Sequence, residues 1–156
     1  MPPAPQPGPV SRGEAPSSVI NAVRLMYVSA ALGILGMILL FVTKDELKKS
    51  IQENDAKLSG TELDNAVNGV LAIAVVLAII FTVLWLVLAN FVQKGKNWAR
   101  IVTWILAAIG VLSVLGSFGQ PPLNVVLAII GGVINIAIIV LLALKPSSEY
   151  FSSRTS

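Results

Sequence analysis

A chain of 156 residues has room for one modest domain. Hydrophobic residues make up 55% of it and charged residues only 12%, against roughly 25% charged in ordinary soluble domains, which is more apolar surface than a soluble fold of this size can bury. With no Cys and no His, disulfides, thiolate metal sites, cysteine nucleophiles and imidazole chemistry are excluded, and a net charge of +3 spread over short segments gives no basic stripe for nucleic acid.

Residues 1–17 form a Pro-rich opening; positions 2 to 16 hold six of the nine prolines. Such a segment favours extended polyproline II and builds no core, so a disordered cytoplasmic tail is expected. The other reading is a docking site for a Pro-binding module, for which PPAPQPGP supplies no flanking signature. The opening also lacks the basic-then-apolar start of a cleavable signal peptide. The first apolar run, Leu25 to Val42, is therefore expected to be retained and to direct the chain to the membrane.

A transmembrane domain is expected over residues 18–145. A membrane-spanning helix needs roughly 20 apolar residues, and four runs meet that length: 24–42, 67–92, 98–118 and 123–144. None has a charge in its interior. Hydrocarbon offers no partner to backbone polar groups, so each run is expected to be helical despite its many Val and Ile residues. The fold class is all-α: a four-helix transmembrane bundle with an extended helical hairpin between the first and second spans.

That hairpin, residues 44–65, carries four Lys and six acidic residues. Asp45 with Lys49 and Glu53 with Lys57 have helical spacing. Leu47, Ile51 and Leu58 fall on roughly one face. The first helix is expected to run on to about Leu58, and the second to start near Thr61 with Thr61 and Asp64 as a capping box. The acidic pairs do not match a calcium loop and read as a solvated helix face. The remaining connections are short: a basic turn, Gln93 to Asn97, and an uncharged turn, Gly119 to Pro122, closed by a Pro-Pro pair.

Lys and Arg favour cytoplasmic loops. The side holding both termini has seven of them (Arg12, Arg24, Lys94, Lys96, Arg100, Lys145 and Arg154) and the hairpin side has four. Both termini are therefore expected in the cytoplasm, with 146–156 as a second cytoplasmic tail, and the hairpin outside. Tyr27, Trp98, Tyr150 and Phe151 fall at the predicted cytoplasmic interface, where amphipathic rings are favoured. Trp85 and Trp104 lie at similar depth, either packed together or facing lipid.

Few positions carry chemistry. Lys94, Lys96 and Arg100 are the candidate contacts for anionic lipid headgroups. Gly33, Gly36, Gly110 and Gly132, with Ser113, Ser117 and Ala128, allow close backbone approach and are the candidate helix-packing positions, within the bundle or between copies. Asn135 lies mid-span and wants a hydrogen-bond partner; it serves as interhelical glue or marks a substrate path. No Asp, Glu, Lys, Arg or His lies at membrane depth, where pumps and proton-coupled carriers place them. Ala30 to Leu35 and Ala107 to Leu112 echo one another, through duplication of a two-helix unit or through the small alphabet of apolar helices.

Val23-Arg24-Leu25-Met26-Tyr27, the charged first loop, Gly95-Lys96-Asn97-Trp98-Ala99-Arg100 and Ser147-Ser148-Glu149-Tyr150-Phe151 together resemble a group of small four-helix integral membrane proteins of actinomycete bacteria. Those proteins have a Pro-rich N-tail and a Gly-x-x-Trp-Ala-Arg signature at the start of the third helix. The resemblance covers most of the chain. It implies the same topology and the plasma membrane of a bacterium, and it implies no activity.

The expected function is a non-enzymatic one without cofactor or metal. The leading reading is association, as a homo-oligomer, scaffold or accessory subunit of a membrane protein partner within the lipid bilayer. The alternative is a carrier or channel for lipids or small apolar molecules. A densely packed interior favours the first. A polar-lined cavity converging on Asn135 favours the second.

Overall fold

In the computed structural model, which describes residues 15–120 and 122–154, all regular structure is helical. The elements are α1 (Ser17–Val42), α2 (Lys44–Asn54), α3 (Gly60–Gln93), α4 (Asn97–Gly116) with a 3-10 turn (Ser117–Gly119), α5 (Pro122–Ala143) and α6 (Lys145–Arg154). Four of them, α1, α3, α4 with its 3-10 turn, and α5, are long and apolar enough to cross a membrane. They correspond to the four expected spans. The residues 1–14 of the Pro-rich opening, Pro121 of the Pro-Pro pair, and the last two residues lie outside the described ones.

The spans leave large apolar side chains uncovered, among them Ile73, Leu112, Leu115, Phe118 and Val133, all more than 60% exposed. In water that surface would be untenable. In a bilayer it is the ordinary lipid-facing side of a helix, so the chain is a multi-pass membrane protein.

α1 is the central strut. It packs against α3 on one flank and α5 on the other, while α4 packs on α5 and meets α3 less extensively. α3 and α5, the two neighbours of α1, make no extended contact with each other. The main core therefore gathers at the end that carries both termini. There Val19, Ala22, Val23 and Met26 of α1 meet Leu88, Ala89 and Val92 of α3, Ala99 of α4, and Ile138 and Leu142 of α5.

At the other end, 34 residues make α3 about 51 Å long, well beyond a hydrocarbon core of about 30 Å. Its first turns stand outside the lipid and pair with α2. The first helix does not run on to Leu58 as the apolar spacing suggests. It stops at Val42, where Thr43 turns its hydroxyl back onto the Leu39 carbonyl at 2.8 Å, a local bond that competes with helix propagation. The break lets Leu47 fold onto Leu63, Val67 and Leu71 of α3, with Ile51 and Leu58 alongside, in a second small apolar cluster.

The charge pairing of the hairpin differs accordingly. α2 ends at Asn54, so Glu53 and Lys57 lose helical spacing, and the Asp55 carboxylate accepts from the Lys57 backbone N–H at 3.1 Å instead. Among the described residues the ion pair that forms is Lys48 Nζ to Asp64 Oδ1 at 3.0 Å, joining α2 to α3. Asp64 is thus drawn away from a capping box. α3 starts one residue earlier, at Gly60 with φ of +58°, behind Ser59, with no side-chain cap. Both ends of the ion pair are well exposed, so Asp64→Asn is expected to cost under about 1 kcal/mol. Thermal unfolding in detergent checks this; a larger loss means that the pair, rather than the leucine cluster, holds the hairpin.

The turn between α3 and α4 explains Gly95. Its φ is +81°, a left-handed conformation that favours glycine. The Lys96 N–H reaches the Phe91 carbonyl at 3.1 Å and the Gly95 N–H reaches Val92 at 3.0 Å. This pair of bonds is a Schellman motif, which satisfies the last carbonyls of α3.

The segment after α5, expected as a tail, has structure of its own. Residues Lys145–Arg154 form a helix, α6, docked on the bundle. Phe151 is fully buried and Tyr150 nearly so, rather than lying in an interfacial aromatic belt. The Tyr150 hydroxyl donates to the Gln93 carbonyl. Ser147 is buried, lies 2.6 Å from the Ser18 hydroxyl, and donates to the Leu141 carbonyl at 2.6 Å. α6 thereby ties the start of α1 to the ends of α3 and α5.

Candidate intramembrane binding cleft

Because α3 and α5 diverge on either side of α1, the half of the bundle toward the hairpin opens sideways. The opening is a cleft of about 380 Å³. α1 contributes the floor through Ser29, Gly33 and Gly36. α3 supplies one wall, with Ala74, Phe81 and Trp85, and α5 the other, with Asn124, Ala128 and Asn135. Gln120 stands at the hairpin end, beside Asn124. Small residues along α1 and α5 account for the width of the gap.

No ionisable side chain lines this cleft. Three of its lining residues, Ser29, Asn124 and Asn135, each carry a polar atom that is buried and without a partner. Both asparagines are only 8% exposed. An unsatisfied buried polar group costs about 1–3 kcal/mol, and native proteins keep few of them.

Depth follows from helix register. Ser29 lies 13 residues from the hairpin end of α1, and Asn135 lies 13 residues from the start of α5. At 1.5 Å per residue each is about 20 Å along its own helix from that end, in the middle part of the span. Asn124 is 11 residues nearer the start of α5, about 16 Å away along the axis. The polar lining residues thus stand at two levels of the bundle, with apolar lining such as Leu32, Met37 and Leu77 besides.

The packing glycines divide into two kinds. Side chains added at Gly33 and Gly36 would meet only ordinary contacts, Thr82 Oγ1 at 3.7 Å and Leu127 Cδ1 at 3.9 Å. Those two open onto the cleft. Gly110 and Gly132 do bring backbones together. A Cβ at Gly110 would overlap the Asn135 amide, and one at Gly132 would lie 2.8 Å from Val114 Cγ2. Gly110 is what lets Asn135 turn its amide across the α4–α5 interface.

The basic cluster lies at the opposite end and is split. Lys94 and Lys96 are exposed, with the Lys94 ammonium 5.7 Å from the Phe91 ring centre. Arg100 is half-buried. Its guanidinium lies between the Trp104 and Phe151 rings, at 4.8 and 4.9 Å, and reaches the Ser148 hydroxyl at 3.4 Å. Its charge thus serves the docking of α6, while the two lysines face outward. Trp85 borders the cleft and Trp104 stacks on Arg100, so the two indoles occupy different surroundings. Among the described residues no group of three or more acidic side chains is placed to hold a metal ion.

Asn135 was legible in the sequence as a lone amide at mid-span, and Asn124 as one near a helix end. Ser29 and Gln120 were not. A single Ser in an apolar helix can bond back to its own carbonyls, so it gives no signal until the facing helices are known. Comparison with protein-family models, with curated proteins and with solved structures finds no match to this chain.

Proposed function

We propose that this chain is a membrane-embedded binding protein or carrier for a lipid or other small apolar molecule, which enters the lateral cleft from the bilayer. The carrying observation is the lateral cleft, whose apolar lining is interrupted by Ser29, Gln120, Asn124 and Asn135. Apolar walls with a few placed polar groups are the usual make-up of a small-molecule site. The volume, near the low end of the roughly 300–1,000 Å³ range of such sites, suits a single chain or compact molecule rather than a two-chain phospholipid. The absence of charge along the cleft argues against a path for ions.

We place both termini in the cytoplasm and the chain in the cell membrane, on the distribution of Lys and Arg. Lys94 and Lys96 are available to anionic headgroups on that side.

The test is retention of small molecules through purification. A Cβ added at Gly131, which borders the cleft, has nothing within 4 Å, so Gly131→Leu puts a bulky side chain at the cleft without strain at its Cβ. Molecules extracted from the native chain in mild detergent are expected to include a species that Gly131→Leu lacks. Identical extracts would overturn the reading. Association of copies is tested on the same surface. The chain has no native Cys, so a single cysteine at Gly36 reports cleanly, and efficient disulfide formation between copies there would mean that the cleft is a helix-docking groove.

A further inference from the structure

The cleft has a definite length and a closed end. Its lining runs from Ser29 to Leu40 on α1, from Ala74 to Trp85 on α3 and from Asn124 to Asn135 on α5, 11 positions along each helix. At 1.5 Å per residue that is about 16 Å, close to half of a hydrocarbon core of about 30 Å. One turn further toward the termini each helix enters the main core, where Met26, Leu88 and Ile138 are at most 2% exposed. Trp85 lines the cleft and also belongs to that core, so it marks the boundary at which the cleft ends. The other end lies at the hairpin side, where Leu40 is two residues from the end of α1 and the exposed Gln120 stands two residues before α5. The cleft is thus blind and one leaflet deep. Its volume of about 380 Å³, spread over about 16 Å, leaves a slot roughly 5 Å across. That admits one hydrocarbon chain, whose carbons keep about 3.5–4.0 Å from their neighbours, and is too narrow for two.

Resting on the proposed binding role, we infer that the cleft takes the extended acyl chain of a single-chain lipid from the hairpin-side leaflet, methyl end inward, and that Trp85 sets the chain length it accepts. Tetrahedral C–C bonds of about 1.52 Å advance an extended chain by about 1.25 Å each, so a length of about 16 Å holds about 13 carbons. A shorter chain leaves the inner end unfilled and forfeits contacts there. A longer one runs into the core behind Trp85, which is close-packed and yields only at a cost. No ionisable side chain lines the passage, so a charged or zwitterionic head stays at the mouth, near Gln120, where water and headgroups solvate it.

The experiment offers the full chain, in phosphatidylcholine nanodiscs, an equimolar mixture of lysophosphatidylcholines with saturated chains of 10, 12, 14, 16 and 18 carbons, and reads the bound species by native mass spectrometry. The 12- and 14-carbon species are expected to be favoured at least about fivefold over the 18-carbon one. Trp85→Ala, which empties the inner end, is expected to move the maximum to longer chains. Gly131→Leu, one turn nearer the mouth than Asn135, is expected to move it to the 10-carbon species. Shifts of opposite sign from two helices keep the test decisive if Trp85→Ala fails to fold. A flat chain-length profile in the native chain, or a maximum left in place by either folded variant, overturns the inference. If the profile is flat or no lysolipid binds while Gly131→Leu still loses a natural occupant, the length limit is wrong and the binding role stands. If no lysolipid binds and Gly131→Leu changes nothing, both fall.

Discussion

Replacing Phe151 by Ala is expected to destabilise the folded bundle by about 3–5 kcal/mol, the usual cost of emptying a fully buried aromatic site. Phe151 is among the largest side chains with no solvent exposure, although it lies five residues from the last one. It packs in the core formed by α1, α3, α4 and α5, with Tyr150 at 5.7 Å between ring centres. Its ring also forms one side of the slot that holds the Arg100 guanidinium. Truncation therefore opens a cavity and loosens a cation–π contact together. Thermal unfolding in detergent, followed by circular dichroism, measures the loss. Phe151→Leu is expected to recover much of it by restoring volume, and Ser152→Ala, on the exposed side of α6, is expected to change stability by less than about 0.5 kcal/mol. A loss below about 1 kcal/mol for Phe151→Ala would mean that α6 is not docked in the membrane-bound protein, since exposed sites show effects of that size.

Gly110→Val is expected to cost about 1–3 kcal/mol through overpacking. The added carbon would occupy the place of the Asn135 amide, and a β-branched side chain has little rotamer freedom in a helix with which to avoid it. The helices cannot move apart freely, because Gly132 and Val114 hold α4 and α5 close on the same interface. Removing the obstacle is expected to reverse much of the loss, so Gly110→Val combined with Asn135→Ala should be less destabilised than the sum of the single changes. An interaction energy of at least about 0.5 kcal/mol is expected from the double-mutant cycle. Strict additivity would place the Asn135 amide away from Gly110.

These two results probe what one-dimensional pattern does not contain. Hydropathy marks the spans because lipid imposes the same demand on every residue of a crossing helix. Gly95 and the basic turn are legible for a similar reason, since the Schellman motif uses neighbours in the chain. The docking of α6 is not legible: KPSSEYFSSR is short and polar overall, and its value lies in two aromatic rings meeting a surface built from four other helices. Where α2 goes after the break at Thr43 is likewise decided by Leu47 finding Leu63, Val67 and Leu71, a contact across the hairpin.

The sequence by itself determined that this is an all-helical membrane protein with four spans, a charged hairpin and no ionisable group at membrane depth, because burial in hydrocarbon acts residue by residue and leaves its record in composition and run length. Only the tertiary structure decided that α3 and α5 stand apart, that Ser29, Asn124 and Asn135 border the same opening, and that Arg100 is committed to α6. Those outcomes depend on the rotation and splay of helices about one another, which in lipid are set by close packing and a few polar contacts, and many sequences with the same hydropathy would pack differently.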